Sequence, residues 1–169
     1  MRNLIILIIV IAADSCSTPA HDQAASKLSM PYVATYSSKF NQNVSEESVQ
    51  IVLTSLKAWE RGDMEAYRKS FADTVTFNSS DGSTSIVLVD ALMDSWAAHR
   101  HDSLASMDIE VRAWTKLHSI DKNTDFVSLW FRAVDHYRNG RVDSIYVYED
   151  YRVANAKIVQ VDQYVRGPF

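Results

Sequence analysis

Apolar residues after position 45 recur every three or four positions, which is the spacing of one face of an α-helix. The series consists of Val49, Val52, Leu53, Leu56 and Trp59. Ser45 precedes it in the position of an N-cap, and Gly62 follows it where a left-handed residue would end the helix. Asp63 then caps a second, shorter helix over 64–72. The pattern therefore predicts two helices joined by a tight corner at 58–66.

From position 105 the pattern changes to alternation, with odd positions mostly apolar and even positions mostly polar. A period of two is typical of strands with one buried face. It predicts strands over 105–117, 126–137, 141–153 and 157–165. Asn139-Gly140 and Asn155-Ala156 are the turns of two hairpins. A short strand at 74–78, a turn at 80–83 and a third helix over 90–99 lie before this region.

Helices followed by a run of strands indicate an α+β fold. We expect the N-terminal helices to pack in a strongly curved, mostly antiparallel sheet, which leaves a concave interior. Strand parity alone does not say which face of the sheet is the interior, because one bulge exchanges the two faces.

The first residues form a separate segment. Arg2 gives a positive start, an apolar run extends from Leu4 to Ala13, and the single cysteine, Cys16, follows. The run is shorter than the roughly 18 residues that a membrane span needs. The order resembles a bacterial lipoprotein signal, in which the leader is removed and the cysteine becomes the lipidated first residue. An ordinary secretory signal, cleaved near Ala13 or Ser17, is the alternative.

This segment predicts a domain organisation and a location. We expect a lipoprotein-type signal peptide at 1–15, a tether or N-terminal extension at 16–43 and a folded domain at 44–169. The protein would be exported to the bacterial cell envelope, periplasmic or on the outer surface. Its membrane contact would be a lipid anchor at Cys16.

Composition narrows the classes of partner. The formal net charge is −4 and no basic stripe occurs, which argues against nucleic acid. No cysteine follows Cys16, so packing alone must hold the domain together. The four glycines are isolated turn residues rather than a phosphate loop, and no set of metal ligands converges along the sequence. We therefore expect neither a cofactor nor a metal.

The order of several short motifs resembles the NTF2-like, or SnoaL-like, superfamily. The resemblance covers about 45–165 and is carried by residues 59–66, 71–77, Asp81-Gly82 and the last hairpin at 151–159, where Ala156 replaces the customary glycine. The leader and residues 36–40 resemble exported members from Bacteroidetes-type bacteria. The resemblance implies a cone-shaped α+β barrel, often a homodimer, with a pocket between the sheet and the helices.

The resemblance does not supply a catalytic set. Ketosteroid-isomerase-like members use a tyrosine of the first helix and an aspartate after the first strand, and these positions correspond here to Ser55 and Ser79. A serine has neither the acidity of a phenol nor a carboxylate, so that mechanism is not present in its usual form. Asp81, His136 and Asp150 are the remaining candidates for proton transfer, with Asp108 as another strand partner for His136.

Aromatic residues give the stronger signal. Those on elements that would enclose the pocket are Trp59, Tyr67, Phe71, Phe77, Trp96, Phe131 and Tyr164. Core packing is the alternative interpretation for each of them, because large aromatics dominate protein cores. Trp114, Trp130, Tyr146 and Tyr148 occupy even strand positions beside charged residues, a mixture that favours a dimer interface.

Two functions follow from these observations. The first is a binding module for a small hydrophobic ligand or a protein partner. The alternative is a cofactor-independent isomerase, dehydratase or cyclase of the SnoaL or ketosteroid-isomerase type. A carboxylate or imidazole buried in an apolar interior with a strongly shifted pKa would favour the enzyme.

Overall fold

The computed structural model describes residues 31–167, apart from the side chains at positions 92 and 96–101. The chain divides into two units, 1–33 and 34–169, and the described helices and strands all lie in the second. The predicted leader, most of the predicted tether and Cys16 lie outside the described residues. No helix among those residues is long and apolar enough to cross a membrane.

The predicted helical corner is confirmed. Helix α1 spans Glu46–Arg61, and its N-cap Ser45 accepts a hydrogen bond from the backbone of Ser48 at 3.1 Å. Gly62 ends it with φ of +71°, a left-handed conformation that favours glycine. Helix α2 spans Met64–Lys69 and is capped by Asp63. It is shorter than the predicted 64–72, because strand β2 already begins at Phe71. The corner turns the chain back so that Tyr67 of α2 lies under α1.

The strands form one curved, mixed sheet of seven strands. Their bounds are β1 Phe40–Asn41, β2 Phe71–Asn78, β3 Thr84–Leu88, β4 Leu104–Ser119, β5 Thr124–Tyr137, β6 Val142–Ala154 and β7 Lys157–Arg166. Helix α3, Val89–Ser103, lies between β3 and β4. The order across the sheet is β1-β4-β5-β6-β7-β2-β3, and only β2 and β7 pair in parallel. The predicted α+β architecture is therefore confirmed, with β1 and β3 as strands that the pattern did not predict.

The core lies between α1, α2 and the face of the sheet formed by odd positions of β5 and β6. Val127, Leu129 and Phe131 of β5 are buried there, opposite alternate residues of β6. We call this the inner face and its reverse the outer face. Burial of these side chains stabilises the fold by several kcal/mol, since one buried aliphatic or aromatic side chain contributes about 1.5–3 kcal/mol.

A bulge in β4 corrects the predicted position of Trp114. The register with β5 shifts between Val111 and Ala113, so that Trp114 stands opposite Leu129 of the inner face. Its side chain, 57% exposed, borders a shallow groove of about 530 Å³ beside Leu53 of α1. A bulge places two residues against one and thereby exchanges the faces beyond it. Trp114 is therefore not on the face that carries Trp130.

Residues 36–41 pack onto the β4–β5 hairpin. The Tyr36 ring meets Phe126 edge-on with 6.1 Å between centroids, and Lys122 lies over the same ring. Phe40 and Asn41 pair with the end of β4. This segment, which belongs to the predicted N-terminal extension, is thus part of the packed unit.

Candidate functional site

Glu149 of β6 is the only charged residue among the buried side chains that the structure describes, with 6% of its surface exposed. It lies on the inner face, where the register places it between Leu129 of β5 and Gln163 of β7. Its neighbours along the same face are Val147 and Tyr151. The stripe of alternating apolar residues in β6 therefore carries one carboxylate into the core.

Two neutral donors hold this carboxylate. Gln163 Nε2 donates a hydrogen bond to Glu149 Oε1 at 2.7 Å, and the hydroxyl of Tyr151 donates to Glu149 Oε2. Neither partner is a cation, so the negative charge is not neutralised by these contacts. Burial raises the pKa of Glu149, and the hydrogen bonds from Tyr151 and Gln163 only partly oppose that effect.

Tyr67 completes the group from the helical side. Burial raises the pKa of the Tyr67 hydroxyl well above its usual value, and the nearby charge of Glu149 raises it further. Burial also raises the pKa of Tyr151 well above its usual value, and Glu149 and Tyr67 add to the effect. Glu149, Tyr151, Gln163 and Tyr67 thus form one electrostatically connected set, which we call the Glu149 cluster.

Aromatic rings surround Tyr67. Its centroid lies 5.3 Å from that of Trp59 on α1 and 4.8 Å from that of Phe71 on β2. Phe131 is buried in the same core, and Phe77 packs against it. These five predicted pocket residues are therefore brought together on the inner side of the sheet. Aromatic rings at such distances gain from edge and tilted contacts beyond their burial.

The other two predicted pocket residues differ. The side chain of Trp96 lies outside the described part of the structure. Tyr164 is 58% exposed and stacks on Tyr148, 5.8 Å away, on the outer face. Its placement in the interior is thus corrected, because its neighbour Gln163 is the β7 residue that faces inward.

The three catalytic candidates from the sequence are found in three separate places. Asp81 is exposed in a turn, where hydrogen bonds from the side chain and backbone of Ser83 lower its pKa. His136 Nε2 pairs with Asp108 Oδ2 at 2.9 Å; the His136 side chain is partly exposed and that of Asp108 is largely exposed. Asp150 lies on the outer face. None of the three belongs to the Glu149 cluster.

The two positions that the family resemblance singled out carry no acid–base group. Ser55 is fully buried, and its hydroxyl donates to the backbone carbonyl of Val52 at 2.8 Å. Ser79 lies at the turn after β2, where its backbone pairs with Ser83. The described residues contain no group of three or more metal-ligating side chains.

Glu149, Tyr151 and Gln163 were missed as site residues from the sequence. The signal was present: Ile145, Val147, Glu149, Tyr151 and Val153 share one parity, and a glutamate interrupts an otherwise apolar and aromatic series. Such an interruption on a buried face is informative because an ionisable group is rarely buried without a reason.

Comparison with known proteins shows the fold. No family model matches the sequence, and neither does any curated protein. An NTF2-like protein of unknown function from Burkholderia pseudomallei K96243 is similar in structure, with a TM-score of 0.57 and 18% identity over 73% of this chain and 92% of the other.

Two enzymes or presumed enzymes are similar as well. An LEH-like epoxide hydrolase of M. tuberculosis matches with a TM-score of 0.60 and 10% identity over 72% of this chain and 84% of the other. A protein of Xanthomonas campestris described as a putative polyketide cyclase matches with a TM-score of 0.52 and 18% identity over 70% and 90%. The identities are low, so these matches establish architecture rather than activity. The domain has the fold of the NTF2-like superfamily.

Proposed function

We propose that the domain binds a small, largely apolar molecule on the inner side of its sheet, with the Glu149 cluster as the polar contact. The observation that supports this proposal is a buried carboxylate held by neutral donors alone. Burying a charge without a cation costs stability, and an apolar residue would pack there at no such cost. Groups of this kind are concentrated at functional sites.

The surroundings fit such a ligand. Tyr67 lies within the electrostatic influence of Glu149, and Trp59 and Phe71 pack against the Tyr67 ring. Small-molecule sites are mostly apolar, with a few polar groups that fix orientation. Proteins of the same fold include an epoxide hydrolase and a putative polyketide cyclase, which supports a small-molecule ligand here.

Proton transfer by Glu149 is the second candidate function, and the raised pKa of Glu149 favours it. A carboxyl group whose pKa lies above its ordinary value releases and takes up a proton closer to neutral pH. Tyr151 and Tyr67 would then orient the carboxyl and a carbonyl or hydroxyl of the substrate. This assignment replaces Asp81, His136 and Asp150 as the proton-handling residue of a cofactor-independent isomerase, dehydratase or cyclase.

One experiment tests binding and separates the two functions. The protein is purified from its native host as wild type, Glu149→Gln and the matched surface variant Glu110→Gln, and each is analysed by native mass spectrometry. We expect a small molecule bound to the wild type and to Glu110→Gln, with lower occupancy in Glu149→Gln. Absence of any bound molecule from the wild type, or equal occupancy in all three, would contradict the proposal.

The released molecule is then incubated with each protein in D₂O. Deuterium incorporation by the wild type that is lost in Glu149→Gln supports proton transfer. Binding without any catalysed incorporation supports the binding module alone.

We also propose that the protein is exported and anchored to the membrane by a lipid on Cys16. The support is the sequence of the first 16 residues, a positive start, a short apolar run and a cysteine after small residues. Growth of the host with a labelled fatty acid should label the wild type and not Cys16→Ser. Labelling that persists in Cys16→Ser would exclude the anchor.

We further propose that two copies associate through the outer face. Trp130 and Tyr164 are 40% and 58% exposed, and Tyr148 lies between them with centroids 5.0 and 5.8 Å away. Asp150 and Asp162 stand opposite each other on the same face, and Arg112 lies over the ring of Tyr146. A two-fold axis can bring the acids of one copy to the arginine of the other.

The dimer is tested by sedimentation velocity on Trp130→Ala/Tyr164→Ala and on Trp114→Ala. Trp114 is the matched control, because it is equally exposed but lies on the inner face. We expect a monomer from the double variant and a dimer from the control and the wild type. A monomeric wild type would overturn this assignment.

A further inference from the structure

A small cavity lies between the outer face of the sheet and the segment that precedes β1. Phe126 of β5, Arg152 of β6 and Gln160 of β7 stand side by side on three neighbouring strands and border it. Tyr36, which meets the Phe126 ring edge-on, and Asp162 of β7 complete its walls. Its volume is about 260 Å³, just under the roughly 300 Å³ at which most sites for drug-sized molecules begin, so its ligand must be small. It lies on the opposite side of the sheet from the ligand site proposed above.

Arg152 brings a positive charge to this cavity. Its side chain is partly buried, and its guanidinium makes no hydrogen bond, ion pair or ring contact with any residue that the structure describes. Two carboxylates are close in the register: Asp150 precedes Arg152 by two residues on β6, and Asp162 lies diagonally across from it on β7. A long side chain can reach a diagonal neighbour in a sheet, so the absence of an ion pair requires an explanation.

Neutral donors occupy both carboxylates and explain it. Asp150 accepts hydrogen bonds from two hydroxyl groups, and Asp162 accepts them from two side-chain amides. The donors are Ser128 and Tyr148 for Asp150, and Asn78 and Gln160 for Asp162. The guanidinium is therefore available to a group from outside the chain, and its planar fork matches a carboxylate.

Asp162 brings a negative charge to the same cavity. Gln160 Nε2 lies 3.1 Å from its Oδ1 and 2.9 Å from its Oδ2, and Oδ1 also accepts from Asn78. A carboxylate has about four lone-pair sites, so Oδ2 can accept one further hydrogen bond. An ammonium group is a strong donor for it, because that bond joins opposite charges. A cation and an anion on the walls of one cavity thus favour a zwitterion over a ligand with a net charge.

We propose that this cavity binds a free α-amino acid with an aromatic side chain. The carboxylate of the ligand pairs with Arg152, and its ammonium group donates to Asp162. Its ring packs against Tyr36 and Phe126, which form the apolar part of the wall. Neither the ligand site on the inner face nor its Glu149 cluster enters this argument, so the two sites are tested independently.

Nuclear magnetic resonance of the arginine Nε–Hε groups tests the proposal on the ¹⁵N-labelled full-length protein in mild detergent at slightly acidic pH. The Arg152 signal is assigned from its loss in Arg152→Gln. Arg132 is the internal control, because it lies on the same face but its Nε donates to Ser144 at 2.8 Å. The probes are L-phenylalanine, 2-phenylethylamine, 3-phenylpropionate and L-alanine, each added up to about 50 mM, well above the millimolar dissociation constants of weak sites.

We expect L-phenylalanine to shift the Arg152 signal in a saturable way and to leave the Arg132 signal unchanged. The other three probes lack the carboxylate, the ammonium group and the ring respectively, so each should bind at least about tenfold more weakly. Asp162→Asn should weaken L-phenylalanine by a similar factor, whereas Asp143→Asn, which changes an exposed carboxylate near the other end of β6, should not. Equal binding of L-phenylalanine and any of the three analogues, equal effects of the two aspartate variants, or no shift of Arg152 would each overturn the proposal.

Discussion

Strand β6 presents the same pair of side-chain types, a carboxylate and a tyrosine two residues apart, on both faces of the sheet. On the inner face Tyr151 donates to Glu149, and on the outer face Tyr148 donates to Asp150 at 2.7 Å. Each carboxylate also accepts from a second neutral donor, Gln163 inside and Ser128 outside. The chemistry is alike, so the difference between the two pairs comes from their surroundings.

Burial is that difference. The inner pair lies under α1 and α2 in the apolar core, and burial raises the pKa of Glu149. The outer pair lies beside exposed aromatic rings, where burial and the bond to Asp150 raise the pKa of Tyr148 to about 12. A desolvated carboxylate is suited to recognise or move a proton, and a partly solvated one is suited to a protein interface. One strand thus carries the proposed ligand site on one face and the proposed dimer surface on the other.

Removing the carboxylate of each pair should give the largest difference in the free energy of unfolding. Glu149→Ala leaves the buried hydroxyl of Tyr151 and the amide of Gln163 without their acceptor and opens a cavity, so we expect a loss of about 3 kcal/mol in the free energy of unfolding. Asp150→Ala removes the acceptor of the buried Ser128 hydroxyl and of the partly exposed Tyr148 hydroxyl. Because Tyr148 can turn to water, we expect a smaller loss of about 1.5 kcal/mol. Urea unfolding followed by tryptophan fluorescence measures both. Equal losses would show that burial does not distinguish the two faces.

Removing the hydroxyl of each tyrosine compares the same two pairs by a smaller change in structure. Tyr151→Phe deprives a buried carboxylate of one of its two donors, and we expect a loss of about 2 kcal/mol. Tyr148→Phe affects a half-exposed pair and should cost about 0.5 kcal/mol. The same unfolding experiment applies, with Glu149→Ala/Tyr151→Phe and its two single variants to measure the coupling between the two inner residues. A coupling near zero would contradict a direct Tyr151–Glu149 bond.

Much of the fold could be predicted from the sequence, because its signals are local. Ser45, Gly62 and Asp63 fix helix ends through their own capping chemistry, and the alternation after position 105 fixes four long strands. The short β3 was not predicted, since Thr84–Leu88 carries its apolar residues on an exposed edge where no alternation is required.

The site could be predicted only in part, because it depends on register between strands. Tyr67 and Phe71 were found from helix spacing and aromatic content. Glu149 and Gln163 meet only through the pairing of β6 with β7, which the sequence does not state. Trp114 was assigned to the wrong face because of the bulge in β4. No residue type near the bulge marks its position in the sequence.

The pH dependence of the free energy of unfolding gives the smallest expected difference between the inner Glu149 and the outer Asp150. Glu149 has a pKa in the folded protein above its value in the unfolded chain, so the folded state holds the proton more tightly. Its contribution to stability is complete below the unfolded pKa of about 4.3 and is lost as the pH rises through the folded pKa. The slope from one group is at most about 1.4 kcal/mol per pH unit.

We therefore expect the wild type to lose stability relative to Glu149→Gln as the pH rises from about 4 towards neutrality. The pair of wild type and Asp150→Asn provides the matched measurement on the outer face. Urea unfolding at intervals of pH gives both difference curves. A wild type that gains stability over Glu149→Gln across this range would mean that the inner carboxylate is stabilised as an anion. The contrast between a desolvated inner site and a solvated outer face would then not hold.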